Sequence, residues 1–270
     1  MNERTLVSFD WAMKSILRQK DNFDILEGFL TDLLGEKIEI LDLLESESNK
    51  DNKYDKMNRV GLRARDSLGR EIIIEVQHSK EPDYLERVYY GTCKSLIDNM
   101  QEGYRYKNIK KIISVNIIYW QMLEKSYLLK GEMQLKDLTG NKLEVQFKPD
   151  QNIFAEYYFI QLEWFEDNIK SLIDEWVYLF KHSKVKGDMR ATNMDKVPAK
   201  LDKLKMTQEE LRAYDEYQFN KTINEGVLQV KYDEGIEEGL EKGRSEIIEA
   251  MRKSGLSEDK IVEIIGLSSK

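Results

Sequence analysis

An acidic residue stands near the end of an otherwise hydrophobic stretch, EIIIEVQ at positions 71–77. Glu75 follows three consecutive isoleucines and precedes a valine, a composition that favours a β-strand. Charged side chains are rarely buried unless they are paired or hold a metal ion. Carboxylate oxygens are the ligands that hard divalent cations such as Mg²⁺ prefer. Glu75 is therefore the first candidate functional residue.

A β-hairpin is predicted to position Glu75. Two runs of β-favouring residues within 58–78 flank the turn sequence DSLG at 66–69. If the turn is centred on Leu68, antiparallel pairing places residue 61 opposite Glu75 and residue 59 opposite Gln77. Because side chains alternate along a strand, one face of the hairpin is apolar and is expected to be buried. This face comprises Val60, Leu62, Ala64, Ile72, Ile74 and Val76.

The composition restricts the class of protein. A chain of 270 residues with 41% hydrophobic residues has room for one large domain, or for a domain with a smaller appendage. No apolar run approaches the ~18 residues of a membrane span, and the first residues lack a signal-peptide pattern, so we expect a cytoplasmic protein without a membrane segment. The single Cys93 excludes an internal disulfide. With a net charge of −8, any nucleic-acid surface must be a local patch.

Helix and strand patterns surround the hairpin in an order typical of an α/β fold with a mixed sheet. Apolar residues at helical spacing predict helices over residues 9–17, 23–34, 82–106 and 165–181. Branched or alternating apolar residues predict strands over residues 38–44, 110–120, 127–138, 143–147 and 157–162.

The composition changes after His182. Residues 1–182 are predicted to form the main domain, 183–232 a lysine-rich surface connection and a helical region, and 233–270 a helical tail. In this tail Gly235, Gly239 and Gly243 recur every four residues, where each costs about 1 kcal/mol relative to Ala. Two interpretations are open: a frayed tail, or close packing against a helix of a second copy, which would make a homo-oligomer. Two short helical patterns follow, separated by SGLS at 254–257.

Several different short motifs follow one another along the chain. They are Arg59-Val60, Asp66, Gly69, IEVQ at 74–77, Glu86-Arg87, Tyr89-Tyr90, Gly103, Tyr106, QLEWF at 161–165 and the Glu-Gly and Lys-Gly pairs of the tail. In this order and spacing the chain resembles the PD-(D/E)XK nuclease family transposases, also called Rpn-type recombination-promoting nucleases. The similarity covers nearly the whole chain.

The resemblance implies a restriction-endonuclease-like core, a mixed sheet flanked by helices with a helical C-terminal extension. It implies cleavage of DNA phosphodiester bonds with Mg²⁺, or with Mn²⁺ as a substitute, in recombination, mobile-element biology or defence against phage. Glu75 would bind the metal with the carbonyl of Val76, and Gln77 would orient the attacking water. Glu27 matches an auxiliary acid on an amino-terminal helix, although a lone Glu there is most often solvent-facing.

Position 61 departs from the family pattern. The family has an Asp opposite the Glu, whereas this chain has Gly61, which supplies no ligand. Loss of one electrostatic stabiliser costs about 10²–10³ in rate in other enzymes. Asp55 and Asp66 are not expected to replace it, since Asp66 lies ~17 Å along the strand. Gly61 marks either a naturally degenerate member of the family or a deliberate replacement of the Asp.

Two classes of function follow from these residues. The first is a metal-dependent DNA endonuclease, and the second is a catalytically silent DNA-binding or regulatory module that oligomerises through the tail. In both, basic residues would contact phosphates, unless they are ordinary solvated surface. The main candidates are Arg59, Arg63, Arg87 and Lys94. Cys93 is expected in the core, and His78 either faces the site or has a structural role.

Overall fold

The protein, seen here as a computed structural model, is described over residues 6–44, 59–98, 100, 105–106, 109–123, 126–141, 153–203 and 206–267. It divides into two units, residues 1–214 and residues 215–270. Within these described ranges, every helix is too short or too polar to span a bilayer. The boundaries at residues 182 and 232 stay predictions.

Six strands of the described chain form one mixed sheet. They are β1 (Ile40–Leu44), β2 (Arg59–Asp66), β3 (Glu71–Gln77), β4 (Ile112–Ile118), β5 (Leu128–Glu132) and β6 (Glu156–Gln161). Their order is β1-β2-β3-β4-β6-β5. The β3–β4 and β4–β6 pairs are parallel, and the other neighbours are antiparallel. The α/β fold with a mixed sheet predicted from the sequence is confirmed.

Strand β3 lies between β2 and β4, and all seven of its residues are buried. The register predicted for the hairpin is confirmed: Gly61 pairs with Glu75, and Arg59 pairs with Gln77. The predicted apolar face is also buried over the residues whose side chains are described. Because a shift of one residue would turn this apolar face to the other side of the sheet, the alternation itself fixes the register.

Asp66 holds the hairpin turn. Its Oδ1 accepts hydrogen bonds from the backbone N–H of Leu68 at 3.1 Å and of Arg70 at 2.8 Å, and its Oδ2 accepts one from the Arg70 Nε at 2.7 Å. Gly69 supplies the left-handed backbone that the turn needs, with a φ of 75°. Asp66 is therefore committed to the turn, in agreement with the expectation that it does not replace a ligand at position 61.

Seven α-helices lie in the described ranges: α1 (Phe9–Ser15), α2 (Phe23–Leu34), α3 (Tyr84–Asp98), α4 (Leu172–His182), α5 (Val197–Leu201), α6 (Gln208–Lys253) and α7 (Glu258–Leu267). Helix α4 begins later than the predicted residue 165, because Ser171 and Asp174 form a capping box and Asp167 has a φ of 60°. The strand predicted over 127–138 is limited to β5. The strand predicted over 143–147 lies outside the described residues.

Helix α3 covers the face of the sheet that carries Glu75. Arg87 of this helix reaches Glu75 on β3, and Tyr84 reaches Asn116 on β4. The crossover from β3 to β4 therefore places α3 directly over the candidate residues.

An aromatic cluster joins α1, α2 and α4. The ring centroids of Phe9 and Phe180 are 4.1 Å apart, and those of Phe29 and Phe180 are 4.9 Å apart. Asp10 of α1 contacts His78, whose side chain leaves the end of β3 on the side away from α3. The sheet is thus covered by α3 on one face and by the aromatic cluster on the other.

Residues 183–203 pack against α2 and α4 and do not form the surface connection expected from their lysines. Asp32 of α2 accepts hydrogen bonds from the Thr192 N–H at 2.8 Å and from the Thr192 hydroxyl at 2.7 Å. Glu175 of α4 accepts one from the Ala191 N–H at 2.6 Å. Apolar side chains of the segment are buried alongside these bonds, namely Ala191, Met194, Val197 and Leu201.

Two lysines of this segment pair with Asp24 of α2. The Lys200 Nζ lies 2.5 Å from Asp24 Oδ1, and the Lys196 Nζ lies 3.2 Å from Oδ2. Burial alone would raise the pKa of Asp24, but the two lysines hold this pKa below its ordinary value. Two lysines of the segment therefore serve in ion pairs with α2.

The second unit, residues 215–270, consists of the remainder of α6 followed by α7. Helix α6 continues without a break to Lys253, and Gly255 with a φ of 84° separates it from α7. The two helical patterns predicted around residues 254–257 are confirmed. A Cβ added at Gly235, Gly239 or Gly243 would meet nothing within 4 Å among the described residues. No close contact in that part of the chain therefore requires glycine at these positions.

We expect Gly28→Ala to destabilise the first unit by about 1–3 kcal/mol, as overpacking does in other cores. An added Cβ would lie 2.1 Å from the Thr192 carbonyl oxygen, and backbone cannot move aside as a side-chain tip does. Urea denaturation measures the change. The control is Gly91→Ala in α3, where a Cβ meets nothing within 4 Å among the described residues and where a gain of up to about 1 kcal/mol is expected. Equal effects of the two substitutions would contradict the close contact.

Candidate functional site

A row of paired residues crosses the sheet at Glu75. Gly61 on β2 pairs with Glu75, which in turn pairs with Asn116 on β4. Paired residues on neighbouring strands project to the same face, so all three positions lie under α3. Glu75 is 8% exposed, Asn116 is fully buried, and Gln77, two residues along β3, is 1% exposed. The sheet thus gathers polar side chains in an apolar setting, beside a position that has no side chain.

The backbone of β3 determines which neighbour each carbonyl faces. The Gln77 carbonyl accepts the Tyr119 N–H on the β4 side at 3.1 Å. Since carbonyls alternate along a strand, the carbonyl of Val76 faces β2, the strand that carries Gly61. Gly61 and Glu75 therefore form the pair type without mutual hydrogen bonds, in which the Cα atoms approach to about 4.5 Å. A side chain at position 61 would lie directly beside Glu75.

Arg87 of α3 contacts the polar side chains around Glu75. Its Nη1 lies 3.3 Å from Glu75 Oε2, and its Nη2 lies 3.4 Å from Gln77 Oε1. Its Nε lies 2.6 Å from Glu81 Oε2, and its Cζ lies 5.0 Å from the centroid of the Tyr84 ring. One guanidinium thus offsets one of the two negative charges of these carboxylates and stacks on an aromatic ring.

Hydrogen bonds hold the two buried amides of the site. The Asn116 Oδ1 accepts the Tyr84 hydroxyl at 3.2 Å, and its Nδ2 donates to the Tyr158 carbonyl at 3.2 Å. The Gln77 Nε2 donates to the Ser79 carbonyl at 3.0 Å. Because buried polar groups without partners are costly, these bonds fix the orientation of both amides.

Gly61 leaves open space beside Glu75. A Cβ added at this position would meet nothing within 4 Å in the described part of the chain, and the backbone is not in the left-handed region. The Gly61 carbonyl accepts a hydrogen bond from the Arg18 Nη2 at 3.0 Å. Neither packing nor backbone conformation among the described residues therefore requires glycine here, and there is space for a Cβ.

A family model matches most of the chain, from residue 7 to residue 223, and this range contains the whole row at Glu75 together with Arg87. The chain belongs to the PD-(D/E)XK nuclease family transposases. The resemblance stated from the motifs is thereby confirmed. No curated protein matches the chain, and no solved structure does.

Position 61 lacks the carboxylate that the family resemblance implies for a metal site at Glu75. The described residues contain no group of three or more Asp, Glu, His or Cys side chains that could hold a metal ion. At the hairpin, Glu75 is the one carboxylate of the family pair, and a guanidinium cation lies beside it. Mg²⁺ is usually held by one or two carboxylates with phosphate oxygens and water. The residues present do not fit the family's two-carboxylate site, because position 61 lacks its carboxylate.

Glu27 lies at the other end of the hairpin. Its Oε1 accepts the Ile40 N–H at 2.8 Å, which links α2 to β1. Ile40 pairs with Asp66, which is five residues or about 17 Å along β2 from Gly61. Glu27 therefore has a structural partner that was not expected of a solvent-facing residue, and its role as an auxiliary metal ligand stays a prediction.

Two of the arginines predicted to contact phosphates are bound within the protein. The Arg63 Nε lies 2.6 Å from Glu71 Oε1, and Arg87 contacts Glu75 and Gln77. Lys94 is 44% exposed on α3. The backbone of Arg59 lies in β2, and its side chain is outside the described part of the chain. Contact of these residues with DNA stays a prediction.

His78 lies on the face of the sheet away from Glu75. Its Nε2 is 2.7 Å from Asp10 Oδ2, and its ring is 4.2 Å from that of Tyr119. Both carboxylate and imidazole are buried, so the pair joins α1 to the sheet, and the structural interpretation of His78 holds. Cys93, expected in the core, is half-buried on α3.

Few signals in the sequence point to Glu81, Arg18 or Asn116, although all three belong to the site. Glu81 and Arg18 lie in stretches of mixed charge without periodicity. Asn116 interrupts the apolar run IISVNII, and a polar residue in a strand buried on both faces was an available signal. Its pairing with Glu75 joins strands that are distant in sequence, so spacing alone could not predict it.

The stabilities of two Gly61 variants, one neutral and one charged, should show the effect of the Glu75 charge on position 61. Because glycine weakens a strand, we expect Gly61→Asn to be neutral or stabilising by up to about 1 kcal/mol. Gly61→Asp, of the same size, should be less stable than Gly61→Asn in EDTA, since like charges directly opposite each other on a sheet are destabilising. Mg²⁺ should reduce this difference. Chemical denaturation with and without Mg²⁺ measures it, and identical curves for both variants in both buffers would speak against the arrangement.

Proposed function

We propose that the Glu75 face is a Mg²⁺-dependent DNA endonuclease site in which one of two carboxylate ligands is missing. The observation that carries the proposal is the pairing of Gly61 with a buried Glu75, with room for a Cβ at the position where the family pattern has an Asp. Membership in a nuclease family supports hydrolysis of DNA phosphodiester bonds as the reaction class. In its present form the chain is expected to cut DNA poorly.

The residues of the site have separate roles in this proposal. Hydrolysis of a phosphodiester requires an activated water and compensation of the charge that builds on the phosphate, and a bound divalent ion supplies both. Glu75 and the carbonyl of Val76 would hold the ion. Gln77 would orient the water, because its amide is already fixed by the Ser79 carbonyl and by Arg87. Arg18, beside the Gly61 carbonyl, lies where it could contact a phosphate.

A second function is favoured by the pairing of Arg87 with Glu75. This ion pair neutralises the one carboxylate of the family pair without a metal. A catalytically silent DNA-binding or regulatory protein would keep such an arrangement. Both functions predict a cytoplasmic protein that binds DNA in recombination, mobile-element biology or phage defence, and only the first predicts cleavage after repair of the site.

Plasmid nicking separates the two functions. Gly61→Asp should nick supercoiled DNA in Mg²⁺ or Mn²⁺ at least about 10²-fold faster than the unsubstituted chain, as expected from restoring one electrostatic stabiliser. Gly61→Asn is the matched control without charge. EDTA, or the further substitution Glu75→Ala, should abolish the activity.

Binding of labelled DNA, followed by fluorescence anisotropy, completes this experiment. Absence of nicking by Gly61→Asp with DNA binding intact would overturn the endonuclease proposal in favour of the silent binding protein. Absence of both nicking and DNA binding would overturn both functions.

We also propose that the second unit makes a homo-oligomer. Ile236, Leu240 and Ile247 of α6 are exposed, and with Gly243 they follow the 4-3-4 spacing of a coiled-coil seam. A second copy of the same helix fits this seam, because Gly243 places no side chain between the two backbones. A helix with three glycines, each costing about 1 kcal/mol, gains from such packing.

Light scattering after size exclusion tests the oligomer. We expect the full chain to exceed the mass of a monomer, and Leu240→Glu with Ile247→Glu to give the monomer mass, because charges at the seam prevent packing. Leu228→Glu is the control, as Leu228 is also exposed but lies on another side of α6. A monomeric unsubstituted chain, or an equal effect of the control, would refute the proposal.

A further inference from the structure

Arg87 of α3 contacts the two acidic side chains and the amide around the gap at Gly61. Two of its guanidinium nitrogens donate hydrogen bonds, Nη1 to Glu75 and Nη2 to Gln77, while Nε lies 2.6 Å from Glu81 Oε2 as an ion pair without a hydrogen bond. The fork of a planar guanidinium matches two acceptors in fixed directions, which the single ammonium of lysine does not. The Arg87 guanidinium thus occupies the position beside Glu75 where a cation would bind.

Arg87 offsets part of the negative charge around Glu75. Glu75 and Glu81 carry one negative charge each and Arg87 carries one positive charge, so these three side chains sum to −1. An Asp at position 61 would add one more negative charge and would therefore strengthen the attraction for a divalent ion. Glu75 is largely buried, and a buried carboxylate needs a cation nearby in either case.

We infer that Arg87 is the resident counter-cation of the Glu75 site and that it competes with divalent metal ions for Glu75. The inference deepens the proposed function, on which it rests for the identity of the competing ion. A metal ion that takes Glu75 Oε2 as a ligand displaces Nη1, because both cations need the same oxygen. Metal binding and the contact between Arg87 and Glu75 are therefore linked, and each weakens the other.

A further consequence concerns Gln77. The guanidinium that holds Glu75 also lies against the Gln77 amide, so displacement of Arg87 from Glu75 changes the surroundings of both residues. Arg87 is thus a positioning residue of the site. While Arg87 holds Glu75 and Gln77, its guanidinium is engaged within the protein and not with a DNA phosphate.

The test uses thermal unfolding of the full chain, followed by circular dichroism, with MnCl₂ or with EDTA. Arg87→Gln removes the counter-cation and leaves Glu75 and Glu81 facing the same space. Mn²⁺ should raise the unfolding temperature of Arg87→Gln by about 2–4 °C, as binding at roughly tenfold above the Kd would do in a chain of this size. The unsubstituted chain should shift by much less.

Two controls make the effect specific to Glu75. Lys94→Gln removes one positive charge from the same helix at an exposed position, and it should behave like the unsubstituted chain. The double variant Glu75→Gln with Arg87→Gln removes the carboxylate as well, and it should lose the shift in Mn²⁺. Equal Mn²⁺ shifts in the unsubstituted chain and in Arg87→Gln would overturn the inference.

If Arg87→Gln does not fold, Arg87→Lys keeps the charge and loses the fork. Mn²⁺ binding is then measured by electron paramagnetic resonance on Gly61→Asp with and without Arg87→Lys. The double variant should bind Mn²⁺ at least about threefold more tightly, and equal affinities would overturn the inference. Neither readout uses DNA, so a metal shift without any nicking would retain the role of Arg87 and reject the endonuclease.

Discussion

The burial of a carboxylate in the central strand is the constraint on which the site depends. Glu75 lies on β3, between β2 and β4, where water cannot solvate its charge fully. The protein must therefore supply a cation, and it does so from α3 through Arg87. The placement of α3 over this face, with Tyr84 bonded to Asn116, keeps the guanidinium in reach. One charged residue in the sheet thus determines much of what the facing helix carries.

The two faces of the sheet have different chemistry. The face under α3 carries the polar row, whereas the other face packs against the aromatic cluster of α1, α2 and α4. The buried pair of His78 and Asp10 belongs to the second face. Residues 183–203 add to this side through their bonds to Asp32 and Glu175, and the family match likewise continues past residue 182, to residue 223. A packed apolar base therefore supports a polar site whose residues are held by few, specific bonds.

Local sequence patterns were sufficient to predict part of the fold and of the site. The hairpin, its register and the importance of Glu75 follow from the turn and from the alternation of side chains, which act over a few residues. The partners of Arg87 and the position of Asn116 depend on packing between α3 and strands that are distant in sequence, which periodicity does not encode. The lysines of residues 183–203 indicated a surface segment, because their acidic partners, Asp24 among them, lie more than 150 residues away. The α4 boundary was missed because a capping box overrides the apolar spacing before it.

The most direct test of the central claim is to locate the metal. Crystals of the Gly61→Asp variant and of the unsubstituted chain, both soaked in MnCl₂, would be compared by anomalous diffraction. The account predicts a Mn²⁺ peak about 2.0–2.6 Å from a Glu75 carboxylate oxygen in the variant and none there in the unsubstituted chain. A peak at Glu75 of equal strength in both crystals, or a peak only at another site such as Glu27, would contradict it.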